Sequence, residues 1–128
     1  MEKTIRQYLD YLAQGNYEGL MTLFVDGAQV QSPLYGKQTT ANFFRDLLAD
    51  TQKSVVAVKH IWRNVENGTG VVHFSYLWTL LSGITHDLDV VDIFSFDEKE
   101  RIIELVIIYD TQSVRATPSG QLFTKSRH

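Results

Sequence analysis

The second half of the chain contains four long runs of β-branched and aromatic residues, separated by short turn signals. The runs cover residues 54–64, 71–81, 84–96 and 101–112. Asn67-Gly68 and Ser82-Gly83 are hairpin signals, and a charged turn occupies residues 97–100. We expect the four strands to form an antiparallel meander. Because strands of about 10 residues exceed the usual length of about 5–6, the sheet is predicted to twist and curl.

The first 50 residues are predicted to be mostly helical. Apolar side chains follow the i, i+3, i+4, i+7 spacing of a buried helix face at Ile5, Tyr8, Leu9 and Leu12. Gly15 is expected to end this helix in the left-handed conformation, and Asn16 is expected to cap the next one. The second helix carries apolar residues up to Phe24.

A turn, an extended piece and a loop are expected between the second helix and a third. Asp26-Gly27 is the turn signal, residues 28–32 are the short extended piece, and residues 36–40 form the loop. Thr39 or Thr40 is a suitable cap for the third helix, which carries two phenylalanines and two leucines within residues 43–48.

Helices that precede one antiparallel sheet indicate an α+β fold in which the helices cover one face of the sheet. A curled sheet closed by helices has a concave interior, which is either filled by side chains or left as a pocket. We predict a single domain over residues 1–112 and a C-terminal tail over residues 113–128, where apolar side chains are few.

Charge and composition argue against several classes of protein. The net charge of −3 is spread in short mixed clusters, so we expect no nucleic-acid partner. No apolar run approaches the roughly 18 residues of a membrane span, and no signal core follows the first residues, so a cytoplasmic protein without a membrane partner is expected. The chain has no cysteine, no His-Glu-x-x-His spacing and no phosphate-binding glycine loop, so neither a metal nor a cofactor is predicted.

Three stretches of the sequence resemble one known group of proteins. The first is YLDYLAQGN at residues 8–16, continuing to Leu23-Phe24. The second is VQSP at residues 30–33, followed by Gly36 and Phe43-Phe44. The third is VDIFSF at residues 91–96, followed by RII at residues 101–103 and by Tyr109-Asp110. In order and spacing they are similar to the SnoaL-like and ketosteroid-isomerase-like branches of the nuclear transport factor 2-like superfamily.

This resemblance implies a cone-shaped curled sheet that encloses a pocket, with a short N-terminal strand beside the four-strand meander and about three helices. It also implies candidate roles. In ketosteroid isomerases a tyrosine and a protonated aspartic acid form the oxyanion hole, and a second aspartate is the base. Tyr8 and Asp92 match the oxyanion-hole pair, whereas Ser32 stands in the position of the base. Because a serine hydroxyl does not accept a proton near neutral pH without its own base, 3-oxosteroid isomerisation by that mechanism is not expected.

Each of the two matching residues also has a plainer interpretation. Asp92 lies in an apolar run, where burial would raise its pKa and favour the neutral, proton-donating form. Alternatively it lies at a sheet edge or pairs with an arginine such as Arg63. Tyr8 shares a helix face with Ile5 and Leu12, so it is either a pocket residue or a core tyrosine whose hydroxyl has found a convenient partner.

Two residues are candidates for the missing base. By resemblance, Asp110 corresponds to an acid that acts as base in SnoaL-like cyclases, and its alternative role is a strand-end cap or an ion pair. Tyr109 and Asp110 both reach the pocket only if a bulge interrupts the strand. His73 is a natural proton carrier near neutral pH. Its alternative is a hydrogen-bonded interior or interface histidine.

The pocket wall is predicted to include apolar and aromatic side chains together with Ser32, and the candidates are Phe24, Phe44, Trp62, Trp78 and Tyr109. Each of the aromatic residues is otherwise a core residue or part of an interface on the convex face of the sheet.

Three functions remain open from the sequence. The first is an isomerase-, cyclase- or dehydratase-type enzyme that transfers a proton next to the carbonyl group of a small, mostly apolar compound. The second is a non-catalytic domain that binds an apolar ligand. The third is an interaction module that forms a homodimer through the convex sheet face, because the helices cover one face only.

Overall fold

The computed structural model of the protein describes residues 1–115. Its helices are α1 (Glu2–Gln14), α2 (Tyr17–Thr22), α3 (Thr40–Asp50) and α4 (Gln112–Arg115). Its strands are β1 (Phe24–Ser32), β2 (Gly36–Thr39), β3 (Thr51–Asn64), β4 (Thr69–Leu80), β5 (Thr85–Phe96) and β6 (Ile102–Ile108). The predicted α+β class is confirmed. From residue 116 onward, the predicted tail lies outside the described residues.

The strands form one sheet in the order β2-β1-β6-β5-β4-β3. The predicted antiparallel meander is confirmed for β3, β4, β5 and β6. β1 then pairs with β6 in parallel, and β2 folds back on β1 as an antiparallel edge strand. None of the described helices has the length and apolar composition needed to cross a membrane.

Three local predictions were wrong, all near β1. The second helix does not extend to Phe24, because α2 ends at Thr22 and Phe24 is the first residue of β1. Asp26-Gly27 does not form a turn that reverses the chain, because both residues lie inside β1. Gly27 adopts a φ of 81° where the register between β1 and β6 shifts, so the glycine forms an irregularity within a strand. Residues 36–39 are not a loop but the strand β2. This edge strand is polar, so it lacks the apolar alternation that identifies a half-buried strand.

α1 packs its apolar face onto the concave side of the sheet. Ile5, Tyr8, Leu9 and Leu12 are all buried, as the spacing predicts. The predicted boundary is also confirmed, since Gly15 ends α1 in the left-handed conformation and Asn16 Oδ1 accepts a hydrogen bond from the backbone of Gly19. Gly70 of β4 permits the close approach of α1, because a Cβ there would lie 2.8 Å from Ile5 Cδ1.

α3 completes the cover of the concave face. Thr39, one of the two predicted caps, accepts a hydrogen bond from the backbone of Asn42. Phe43, Phe44 and Leu47 of this helix are buried.

The alternation along β4 and β5 shows which side chains face the helices. The buried, concave-facing set in β4 includes Val72, Phe74, Tyr76 and Trp78, and the corresponding set in β5 includes Leu88, Val90, Asp92 and Phe94. Four aromatic rings fill one part of this interior, with centroids 5.2–6.3 Å apart: those of Tyr8, Phe24, Phe44 and Phe94.

Candidate functional site

A small cavity lies between the concave face of the sheet and the helices α1 and α3. Most of its lining is apolar or aromatic: Tyr8, Leu12, Ser32, Tyr35, Phe43, Leu47, Phe74, Tyr76, Trp78, Leu88, Val90, Asp92, Ile107 and Tyr109. Its volume is about 40 Å³, whereas one water molecule needs roughly 10–15 Å³ and a typical pocket for a drug-sized ligand has about 300–1,000 Å³. A cavity of this volume accepts a very small ligand and excludes a steroid.

Asp92 is the one carboxylic acid among the described residues that line the cavity. It lies in the interior of the sheet, where its Cα pairs with Val72 of β4 and Ile107 of β6. The side chain is 1% exposed, and its Oδ1 has no hydrogen-bond partner within residues 1–115. Burial raises the pKa of Asp92 well above its usual value. Burial therefore favours the protonated, neutral form, whose O–H is available to an oxygen atom in the cavity.

Tyr8 reaches the same cavity from α1. Its ring packs edge-to-face against Phe94, with centroids 5.2 Å apart, and against Phe44 at 6.0 Å. Burial raises the pKa of the Tyr8 hydroxyl well above its usual value, and the negative charge of an ionised Asp92 raises it further. Tyr8 therefore stays protonated and can donate a second hydrogen bond close to Asp92.

Tyr76 places a third hydroxyl on the cavity wall. Burial raises the pKa of Tyr76, the hydrogen bond with Ser54 lowers it, and the charge of Asp92 raises it. Its hydroxyl oxygen lies 2.9 Å from Ser54 Oγ. The sequence analysis did not identify Tyr76 or its hydroxyl as part of a site.

Ser32 lies at the cavity at the end of β1, and its side chain also fixes the following turn. Ser32 Oγ accepts a hydrogen bond from the backbone N–H of Tyr35 at 3.1 Å. Tyr35 lines the cavity too, and its hydroxyl donates to Oδ2 of the buried Asp50 at 2.6 Å. Asp50 does not belong to the lining, so it does not supply the base that Ser32 lacks by direct contact with a ligand.

Neither candidate for a replacement base lies at the cavity. His73 alternates with Val72 and Phe74 along β4, so it lies on the opposite, convex face, where its Nε2 is 2.7 Å from Asp89 Oδ1. Asp110 follows Tyr109, and Tyr109 faces the cavity. Asp110 is exposed, lies two residues beyond the end of β6 and accepts a hydrogen bond from the backbone of Gln112, the first residue of α4. Regular alternation along β4 explains the position of His73.

The predicted wall residues divide into three groups. Ser32, Trp78 and Tyr109 line the cavity. Phe24 and Phe44 are fully buried in the aromatic cluster around Tyr8 instead. Trp62 is 52% exposed on the convex face, so its assignment to the pocket was wrong. The cavity also contains Phe43 and Tyr35, which the sequence did not single out.

The arrangement can bind an oxygen atom but offers little for a metal. Among residues 1–115, no three His, Asp or Glu side chains are placed to hold a metal ion. The polar groups at the cavity are mainly hydroxyls and the single carboxylic acid of Asp92. Such a set donates hydrogen bonds to a carbonyl, ether or enolate oxygen within an apolar surrounding.

Comparisons with known proteins agree with this architecture. The sequence profile of the SnoaL-like domain family matches residues 5–105. Among solved structures, the chain is similar to SalBIII, an epoxide hydrolase/cyclase-like enzyme with a role in pyran ring formation in the polyether salinomycin. That match has 10% identity and a TM-score of 0.76, and it covers 87% of this chain and 91% of SalBIII.

Two further solved structures show the same fold. A candidate SnoaL-like polyketide cyclase from Shewanella putrefaciens is 16% identical, with a TM-score of 0.74 and coverage of 89% of this chain and 82% of that protein. An NTF2-like protein of unknown function from Burkholderia pseudomallei is 15% identical, with a TM-score of 0.76 and coverage of 88% and 92%. Identities this low support the shared fold and not a shared reaction.

Proposed function

This chain belongs to the SnoaL-like domain family, and from that premise we propose that its cavity binds a small, mostly apolar molecule through a carbonyl or similar oxygen. The observation that carries the proposal is Asp92. Its carboxyl group is buried in an apolar cavity, and Oδ1 meets no partner in the part of the chain that the structure describes. A buried polar atom without a partner costs free energy, and a ligand oxygen that pairs with the Asp92 carboxyl recovers part of it.

Two donors meet the ligand oxygen in this proposal. The neutral Asp92 carboxyl donates one hydrogen bond and the Tyr8 hydroxyl donates a second. Both donors are fixed by packing before the ligand arrives, so little reorganisation is needed. If negative charge develops on the oxygen, the same donors stabilise it, and removing one donor of this kind typically lowers a rate by about 10²–10³-fold.

The cavity lining has few side chains that can act as a base, which restricts the type of reaction it can catalyse. Of the described lining residues, Asp92 is the one whose side chain can both give and take a proton at ordinary pH. Isomerisation and ring closure produce no net proton, so one group suffices. Asp92 donates a proton to the substrate oxygen as the bond to that oxygen breaks or its charge develops, and the resulting carboxylate then takes a proton from the attacking hydroxyl or the neighbouring carbon. A cyclase- or isomerase-type reaction therefore fits the cavity better than hydrolysis with a separate base.

The test compares a ketone with a hydrocarbon of the same shape. Binding of 2-butanone and of 2-methyl-1-butene to the protein is measured by ligand-observed NMR. We expect the ketone to bind about tenfold tighter, Asp92→Leu to remove that preference, and Asp92→Asn to keep part of it because the amide still donates. Asp89→Leu, on the opposite face of the same strand, is the matched control and leaves the preference unchanged. Equal binding of the two compounds to the unaltered protein would refute the proposal.

A second candidate function is homodimerisation through the convex face. Trp62, Val71, Ile93 and Val106 form a continuous apolar row across four strands on that face. Trp62 and, in the next row, Ile108 are 52% and 50% exposed, and the small cavity volume also favours a role outside the interior. In sedimentation experiments we expect a dimer that Trp62→Glu converts to a monomer. A monomeric wild-type protein at high concentration would exclude this candidate.

A further inference from the structure

The polar side chains that line the cavity differ in how much hydrogen-bonding capacity they keep for a ligand. The indole N–H of Trp78 donates to Thr51 Oγ1 at 2.8 Å, and it is the one donor of a tryptophan side chain. The proton of the Tyr35 hydroxyl is donated to Asp50 Oδ2 at 2.6 Å. Both donors are therefore committed to residues that do not belong to the cavity lining.

The Tyr76 hydroxyl keeps more of its capacity. Within residues 1–115, its hydrogen-bond partner is Ser54 Oγ at 2.9 Å, and either hydroxyl can be the donor. A tyrosine hydroxyl has one proton and also accepts, so it can form more than one hydrogen bond. If Tyr76 donates to Ser54, its oxygen still accepts from a ligand. If Ser54 donates, Tyr76 keeps its own proton as well.

Packing holds the Tyr76 ring in one position. The ring is stacked on that of Trp78, with centroids 6.3 Å apart and an angle of 16° between the planes. It meets the ring of Phe74 edge-to-face at 6.2 Å. The bond with Ser54 fixes the polar end of the same side chain. The Tyr76 hydroxyl therefore has a defined place before a ligand arrives, which lowers the entropic cost of binding.

The cavity thus has hydrogen-bonding groups at two positions along the sheet. We call Asp92 with Tyr8 the donor pole, and the Tyr76 hydroxyl the hydroxyl pole. Asp92 pairs with Val72 of β4, and Tyr76 lies further along that strand by a distance of about 13 Å at the rise of an extended strand. Both side chains line the same cavity. Besides burial, the charge of an ionised Asp92 raises the pKa of Tyr76, so their polar ends interact across the cavity.

The two poles differ in the groups that they can bind. The neutral Asp92 carboxyl and the Tyr8 hydroxyl donate, so the donor pole suits an oxygen that only accepts, such as a carbonyl oxygen. The hydroxyl pole accepts in either arrangement of its bond with Ser54, so it suits a ligand hydroxyl, which donates. The wall between the poles is apolar and includes Phe74 and Val90, and the volume of about 40 Å³ restricts the ligand to a short carbon chain.

We propose that the ligand of the cavity is a small hydroxy ketone, whose carbonyl oxygen accepts hydrogen bonds at the donor pole and whose hydroxyl donates to Tyr76. This inference rests on the proposed function, because the carbonyl group binds at Asp92 in both. It adds the class of ligand, and it makes Tyr76 the residue that distinguishes a hydroxy ketone from a plain ketone.

The test uses pairs of compounds of the same shape in which a hydroxyl replaces a methyl group. Hydroxyacetone is compared with 2-butanone, and 4-hydroxy-2-butanone is compared with 2-pentanone, by ligand-observed NMR. A purely apolar wall favours the methyl member of each pair, because a buried hydroxyl without a partner costs free energy. In at least one pair we expect the hydroxy ketone to bind about threefold tighter to the unaltered protein.

Tyr76→Phe removes the hydroxyl pole and keeps the ring. The order within that pair is expected to reverse, with the methyl compound bound about tenfold tighter, because the ligand hydroxyl is then buried without a partner. The preference for 2-butanone over 2-methyl-1-butene is expected to persist, since the donor pole is intact. Tyr11→Phe is the matched control, because the Tyr11 hydroxyl accepts from Gln7 Nε2 and Tyr11 lies outside the cavity lining. It should leave the order within the pair unchanged.

A spectroscopic signal in the unaltered protein gives an independent answer. In protein with ¹³C-labelled tyrosine, the Cζ resonance of Tyr76 is expected to shift more with the hydroxy ketone than with the methyl compound, because a new hydrogen bond changes the shielding of the carbon that carries the hydroxyl. Equal shifts with both members of the pair would contradict the proposal. This measurement needs no substitution in the cavity, so it decides the matter even if Tyr76→Phe fails to fold.

The two proposals fail in different ways. If 2-butanone binds with the ketone preference but neither hydroxy ketone binds tighter than its methyl counterpart, the hydroxyl pole is refuted while the cavity function stands. If the ketone preference itself is absent, the proposed function is refuted and this inference falls with it. A preference for the hydroxy ketone that persists in Tyr76→Phe overturns the role of Tyr76, because another group then binds the ligand hydroxyl.

Discussion

Two aspartates three residues apart on β5 have opposite surroundings. Asp92 faces the concave interior, where burial raises the pKa of its carboxyl group. Asp89 faces solvent on the convex side, where hydrogen bonds from Lys59 and His73 lower the pKa of its carboxyl group. An odd spacing along a strand places two side chains on opposite faces, so burial favours the neutral form of Asp92 whereas hydrogen bonds favour the charged form of Asp89.

The comparison extends to the two faces as wholes. The concave face carries large side chains that are almost fully buried, whereas the convex face carries the half-exposed Trp62 and a hydrogen-bonded group of Lys59, His73 and Asp89. The concave interior therefore favours the protonated form of Asp92. The exterior behaves as an ordinary solvated or associating surface.

The largest expected difference between the faces is in packing. Phe94→Ala removes a ring that is 0% exposed, and such a change typically lowers the free energy of unfolding by about 3–5 kcal/mol. Trp62→Ala on the convex face is expected to change it by no more than about 0.5 kcal/mol in the monomer. Urea denaturation at low protein concentration measures both values. Similar losses for the two variants would contradict the assignment of the faces.

The next effect concerns the pH dependence of stability through Asp92. Because its pKa is raised on folding, the contribution is fully present below the unfolded pKa of about 3.9 and is lost as pH rises towards the folded pKa. Over that window the free energy of unfolding falls by up to about 1.4 kcal/mol per pH unit. Asp92→Asn should flatten this part of the profile and stabilise the protein at neutral pH relative to acid pH. An unchanged slope would show that Asp92 is not desolvated.

The smallest effect on the pH dependence of stability is expected for Asp89. Its pKa is lowered on folding, so its contribution is present above the unfolded pKa and is lost as pH falls through the folded pKa. Since the group is exposed, the effect is screened by salt. Asp89→Asn should alter stability only slightly, as pH falls below the unfolded pKa of about 3.9 and at low ionic strength. A clear effect that survives in high salt would indicate that the convex face is covered in solution.

Local sequence rules predicted much of the scaffold. Gly15 and Asn16 marked the boundary between α1 and α2 because each is suited to its backbone conformation or capping bond. Asn67-Gly68 and Ser82-Gly83 marked the hairpins of the meander. β2 was missed because a polar edge strand has no apolar period, and Gly27 was misread because a glycine with positive φ serves an irregular strand as readily as a turn.

The site was less predictable than the scaffold for a physical reason. Alternation divided β4 into two faces, but the sequence did not say which face the helices would cover, and that choice decides whether Tyr76 or His73 meets a ligand. Trp62 and Trp78 have similar neighbours in sequence, yet only the concave one lines the cavity. The hydrogen bonds of Tyr35 with Asp50 and of Ser54 with Tyr76 join residues that are 15 and 22 positions apart. Local sequence patterns do not predict contacts at such separations.

A carboxyl-carbon NMR titration of Asp92 and Asp89 in the same sample tests the central claim most directly. The unperturbed pKa of an aspartate is about 3.9. We expect the apparent pKa of Asp92 to lie well above this value and that of Asp89 to lie below it. If Asp92 titrates at or below the unperturbed value, its carboxyl group is solvated or paired, and the cavity is not the site of a neutral proton donor.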